Sequence, residues 1–197
     1  MFAASARADA ERSKTEGRAT LAEDPMDCSS HLTLGGCGCA LSHRRAWQAL
    51  VEDGARWALI LEDDLVGICK GFDAELESVL ERLPLGWEVC YLGFHAPGGH
   101  GGLLPPGQRA RGPLIHLSSP GHWLAGLWCY LISHAGARAM LRKAMPFRSQ
   151  VDSVLGSLAA AAGRSYALPP GQFLAFSEAT EVSRDTDVQT FPEDMRS

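Results

Sequence analysis

Glu62, Asp63 and Asp64 end the apolar run Trp57-Ala58-Leu59-Ile60-Leu61. Three carboxylates at one point repel one another unless a cation or strong donors neutralise them. The run reads as a buried strand covered on both faces. Its acids then fall at the C-terminal edge, where open α/β sheets bind ligands. A hard divalent ion such as Mn²⁺ or Mg²⁺ suits carboxylate oxygens and usually arrives with phosphate oxygens. The spacing Glu62-x-Asp64 puts two acids on one side of an extended chain and Asp63 on the other. The plain alternative is a solvated turn or a helix N-cap.

Other residues could join this chemistry. Asp152 follows the apolar Val151 and opens a helix, where aspartate is also a favoured N-cap. Ser42 and His43 fall in the first turns of a helix whose backbone N–H groups could face an anion. His43 also fits a core histidine bonded to a backbone carbonyl. His95, His100 and His122 flank a Gly/Pro-rich stretch. Trp123 and Trp128 could stack on sugars, although Trp128 lies in an apolar strand and fits the core. Cys28, Cys37, Cys39 and His43 could form a zinc site, but their spacing departs from the common paired-cysteine patterns, and free thiols are the plain alternative. A disulfide involving Cys28 is a further option. Cys90 and Cys129 read as small buried hydrophobes.

The elements that must hold these residues follow from periodicity. Helices are expected over 39–52, 72–83, 134–145 and 152–162, with Ser133 capping the third. Strands are expected over 57–61, 87–92, 124–132 and 166–168, with a short edge strand over 114–117. Residues 96–120 are a long loop. Strands alternating with helices imply parallel pairing and an α/β fold. Residues 1–33 read as a loose or partly helical leader, 34–176 as one domain, and 177–197 as an acidic tail or lid.

The 197 residues, 46% hydrophobic and 21% charged, suffice for one sizeable core. A net charge of -5 argues against a nucleic-acid-binding face. No apolar run is long enough to span a bilayer, and residues 1–18 lack the apolar middle of a secretory signal.

The order of motifs resembles glycosyltransferase family 25, which contains lipooligosaccharide galactosyltransferases and procollagen galactosyltransferases. The matching stretches are Gly36-Cys37-Gly38-Cys39-Ala40-Leu41-Ser42-His43, Ala58 to Asp64, Trp87-Glu88-Val89-Cys90-Tyr91-Leu92-Gly93, Tyr130 to Ala137, Val151-Asp152, and Val182-Ser183 with Asp185-Thr186-Asp187. The resemblance implies a GT-A-like, Rossmann-type three-layer sandwich with a mainly parallel central sheet. It also implies a UDP-sugar donor with Mn²⁺ or Mg²⁺, and transfer of a hexose, galactose foremost, to a hydroxyl on a glycan, lipid-linked or protein acceptor. In that reading Asp64 is the main metal ligand and Glu62 a second or water-mediated one. Asp63 accepts from ribose or sugar hydroxyls, and Ser42, His43 and Asp185 lie on the donor. Asp152 is the general base. Asp187 would accompany Asp185 in closing over the donor, or both belong to a solvated tail.

Family members usually begin with a strand carrying an Asn-Leu pair and nearby arginines. Residues 1–33 show none, so an N-terminally truncated form is expected. Ser153 stands where collagen-type members tend to carry an acid. The compartment stays open: cytoplasmic for the bacterial type, the ER or Golgi lumen for the collagen type. Two other readings remain. One is a non-catalytic module that keeps the fold but has lost donor binding. The other is an unrelated phosphotransfer or hydrolytic enzyme, which would want a phosphate loop the sequence lacks.

Overall fold

The computed structural model describes residues 34–95, 102–118, 124–147 and 149–177. In chain order these form α1 (Leu34–Glu52), β1 (Trp57–Leu61), β2 (Leu65–Ile68), α2 (Phe72–Arg82), β3 (Val89–His95), β4 (Ile115–Leu117), β5 (Ala125–Ser133), α3 (His134–Lys143), α4 (Val151–Ala161), β6 (Ser165–Ala167) and β7 (Ala175–Ser177). The leader, residues 96–101, Trp123, and the tail with Asp185 and Asp187 lie outside the described residues.

Five strands make one sheet in the order β1-β5-β3-β6-β4, and β2 pairs with β7 separately. The chain is α/β, but the expected mainly parallel sheet is corrected. Only β3 and β6 pair in parallel, while β1–β5, β5–β3 and β6–β4 are antiparallel. The helical alternation does make β1, β3 and β6 run the same way, as crossover connections should. Yet β5 inserts between β1 and β3, pointing oppositely, and so replaces a parallel neighbour with two antiparallel ones.

The position of β5 also decides what is buried. β5 and β3 have a neighbour on each side, and Val89 to Phe94 and Leu127 to Ser133 are buried. β1 is an edge strand. Its first four residues are half-buried and Leu61 is 47% exposed, not covered on both faces as its composition implied.

α1 starts at Leu34, ahead of residue 39, although Gly35, Gly36 and Gly38 each disfavour helix. Burial of Gly36, Cys37, Gly38 and Ala40 offsets that cost, and Trp47 and Leu50 continue the inward face. α1 packs on α3 and α4, and both of these pack on β5. Ser133 caps α3 as expected, its Oγ accepting from Gly136 N at 3.1 Å. α2 is tied to the segment between β3 and β4 by buried Glu75, which accepts the Ala110 N–H at 2.9 Å.

Candidate functional site

Co-directional β1 and β3 end, and antiparallel β5 begins, at one end of the sheet. That end therefore collects the residues after Leu61, His95 at the close of β3, and Gly126 near the start of β5. Helix α4 brings Asp152 to the same end, where Gly126 N donates to Asp152 Oδ2 at 3.1 Å.

Glu62 is placed by strand register. Ile60 pairs with Tyr130, and Tyr130 with Tyr91, so the three side chains share one face. Glu62 N continues the pairing by donating to Trp128 O at 3.1 Å. Two residues beyond Ile60, Glu62 points to that same face, which α1 covers. His43 Nε2 lies 3.1 Å from Glu62 Oε1, and His43 Nδ1 lies 3.0 Å from Tyr130 Oη. Trp47 Nε1 donates to Tyr130 Oη at 2.9 Å. The indole N–H can only donate, so Tyr130 accepts it. Burial pushes the Tyr130 phenol well up. A buried chain of hydrogen bonds thus links Trp47 to Glu62 through Tyr130 and His43.

Asp63 and Asp64 form the turn between β1 and β2, and both are exposed. This corrects the extended-chain geometry of the Glu62-x-Asp64 argument. Glu62 and Asp64 are nevertheless close enough to interact. Burial first, and the Glu62 charge second, push the Asp64 carboxyl above its ordinary value, against a lowering by Ser177. Ser177 Oγ lies 3.1 Å from Asp64 Oδ2 and 3.3 Å from Asp64 O, which ties the turn to β7.

Asp152 is the second residue of α4, not its N-cap; Gln150 is. Its carboxylate accepts from Gly126 N and, through Oδ1, from Ser153 N at 2.6 Å. Gly126 has φ 80, and a Cβ there would lie 2.5 Å from Trp128 and 2.9 Å from His95, so only glycine fits. His95 is half-buried and edge-on to Trp128, with ring centroids 4.7 Å apart. Burial holds His95 below its ordinary value, while Asp152, Glu62 and Asp64 pull it up. The Cys39 thiol is pushed far up by burial and then by Glu62, Asp152, Asp64 and Asp63. The same acids thus act on His95 from β3 and on Cys39 from α1, which marks them as one constellation.

The fold therefore brings together Glu62, Asp64, Asp152 and His43, with Asp63 beside them. Ser42 is exposed and spends its hydroxyl on Gly38 O at 3.0 Å. Because α1 begins at Leu34, Ser42 and His43 are mid-helix, and their backbone N–H groups are not at a helix N-terminus. His43 acts through its ring and is bonded to Glu62 and Tyr130, not to a backbone carbonyl. Trp128 is core, 3% exposed, with its indole donating to Ala175 O at 3.1 Å. The sequence argument missed Tyr130, Cys39 beside Glu62, and Ser177. The Cys39–His43 spacing of four, one helical turn, was the available signal for the second. Cys39 Sγ, a His43 ring nitrogen and a Glu62 oxygen all lie within 4.8 Å of one another. The five described cysteines form no disulfide; Cys28 lies outside the described residues. No helix among the described residues is long and apolar enough to cross a membrane.

Comparison with known proteins fits these motifs. Residues 3–89 match Glycosyltransferase family 25 (LPS biosynthesis protein). The resemblance to glycosyltransferase family 25 is shown. The match takes in α1, the Glu62-Asp63-Asp64 turn and α2, and also reaches into residues 3–33, ahead of the first motif read from the sequence. Procollagen galactosyltransferase 1 of Danio rerio is 29% identical over 117 residues, covering 56% of this chain and 18% of the relative. The chain thus spans under a fifth of that protein's length. The family match spans less than half of the chain.

Proposed function

We propose that the chain is a metal-dependent glycosyltransferase. It transfers a hexose, galactose foremost, from a UDP-sugar to a hydroxyl on a glycan, lipooligosaccharide or protein acceptor. The observation that carries this reading is the meeting of Glu62, Asp64 and Asp152 at one sheet end in a chain similar to family 25.

The acid set fits a hard divalent cation, because the Asp64 carboxyl is already strained upward by burial and by Glu62. Mn²⁺ or Mg²⁺, when bound, supplies Lewis-acid stabilisation for the charge that builds on the departing diphosphate. Asp64 would hold it, oriented by Ser177, with Glu62 second or through water. Asp63, exposed on the same turn, accepts from ribose or sugar hydroxyls. His43 orients Glu62 from the buried side. Asp152 is held by two backbone N–H groups, and its remaining lone pairs can take the acceptor hydroxyl proton. Asp185 belongs to the donor site by resemblance alone.

The test is release of UDP from UDP-galactose and UDP-glucose by the purified chain with Mn²⁺. Slow Mn²⁺-dependent hydrolysis, lost in Asp152→Ala and Asp64→Ala, is expected. No turnover and no binding at millimolar sugar nucleotide, with the chain folded, would refute the reading. The second reading is a non-catalytic binding or scaffold module that has lost donor binding. It is favoured by the engagement of both Asp152 oxygens with backbone donors, and it predicts no turnover.

A further inference from the structure

We infer that Cys39, His43 and Glu62 form a second cation site that takes a borderline divalent ion such as Zn²⁺. The Asp63-Asp64 turn offers oxygen alone, which suits hard ions. This trio offers one sulfur, one nitrogen and one oxygen, a donor set that suits zinc. Cys39 and His43 are four residues apart on α1, so they stand one turn apart on the same face. Strand register brings Glu62 to them from β1. The three donor atoms already lie within 4.8 Å of one another, and the His43–Glu62 separation is 3.1 Å. Tetrahedral zinc with bonds of about 2.0–2.3 Å needs ligand atoms roughly 3.3–3.8 Å apart. Small side-chain adjustments close that gap.

The surroundings favour a cation. His43 is 5% exposed and its ring is fixed by Tyr130 on the far nitrogen, the outer-shell arrangement that orients a ligating imidazole. Asp63, Asp64 and Asp152 add negative charge nearby. On binding, the Cys39 sulfhydryl proton leaves to solvent. The imidazole ligates through Nε2 and carries its proton on Nδ1, facing Tyr130 Oη. Three protein ligands leave a fourth position of a tetrahedral ion open.

This inference does not depend on the sugar-nucleotide reading, and Co²⁺ separates the two. Co²⁺ bound by a thiolate absorbs in the near ultraviolet through sulfur-to-metal charge transfer. The full chain titrated with Co²⁺ should develop that band at one equivalent and lose it to Zn²⁺. Cys39→Ser should abolish the band, Glu62→Gln should weaken Co²⁺ affinity at least tenfold, and Asp64→Asn should leave the band in place. As a second measurement, Zn²⁺ should slow alkylation of Cys39 in the wild-type chain, read by mass spectrometry. No band, a band that survives in folded Cys39→Ser, or unchanged Cys39 alkylation would overturn the site. If Asp64→Asn loses UDP-sugar binding but keeps the band, both readings stand. If UDP-sugar never binds but the band forms, only the glycosyltransferase reading fails.

Discussion

The site has two halves built on different principles. On the α1 side, Glu62 is fixed by His43, Tyr130 and Trp47, whose hydrogen bonds are buried between the helix and the central strand. On the other side, Asp63 and Asp64 sit on an exposed turn, with Asp64 held by Ser177. The first half is part of the core, and its hydrogen bonds are already made. The second half concentrates negative charge that its surroundings resist. The difference suggests a division of labour. The buried half sets geometry, and the exposed half carries the charge that a cation would neutralise on the proposed reading.

The largest effects should come from changes that separate the halves. On the proposed reading, Asp64→Ala weakens Mn²⁺-dependent UDP-sugar binding on the order of 100-fold, about 2.7 kcal/mol. Its melting temperature should match or exceed that of the wild type, because a resisted charge is gone. A marked fall in melting temperature would mean that the turn is structural after all. Gly93→Ala instead strikes the packing of Trp128 against β7, the strand that carries Ser177. A Cβ there would lie 2.2 Å from Trp128 Nε1 and 2.5 Å from Ala175 O, so denaturation should report a loss of about 3 kcal/mol.

Tyr130→Phe strands the Trp47 N–H and frees His43. A cost of about 2 kcal/mol in urea unfolding is expected, with weakened donor binding. Unchanged stability would break the claim that this half is prebuilt. Ser177→Ala should cost only about 0.5 kcal/mol of stability, while calorimetry shows a several-fold loss of Mn²⁺ affinity as Asp64 loses its orientation.

The smallest effect is a pH slope. Burial holds His95 below its ordinary value, so the unfolded chain takes up that proton first as pH falls. The stability tied to neutral His95 is complete above the unfolded value of about 6.5 and erodes as pH drops below it. His95→Gln should flatten the stability profile between about pH 7 and 5. Identical slopes would remove His95 from the account.

Much of this was legible in the chain. The apolar run closing on Glu62 does put acids at a strand's C-terminal edge, and the Ser133 cap, the edge strand near Ile115 and the core roles of Cys90, Cys129 and Trp128 follow from local pattern. Sheet order was not legible. Nothing local says that β5 inserts between β1 and β3, since pairing partners far apart in the chain leave no periodic trace. β2 was hidden by its length and by Gly67, and β7 by its nearness to a polar tail. Tyr130 looked like one more strand hydrophobe. Its role depends on α1 crossing that face at Trp47, a contact 83 residues apart in the chain.

The most direct test of the central claim is calorimetric titration of UDP-galactose into the chain with and without Mn²⁺, run in parallel on Asp64→Ala. The account predicts binding that requires Mn²⁺ in the wild type and is lost in the variant while the fold is retained. Equal binding by both proteins, or none by the folded wild type at millimolar ligand, would contradict it.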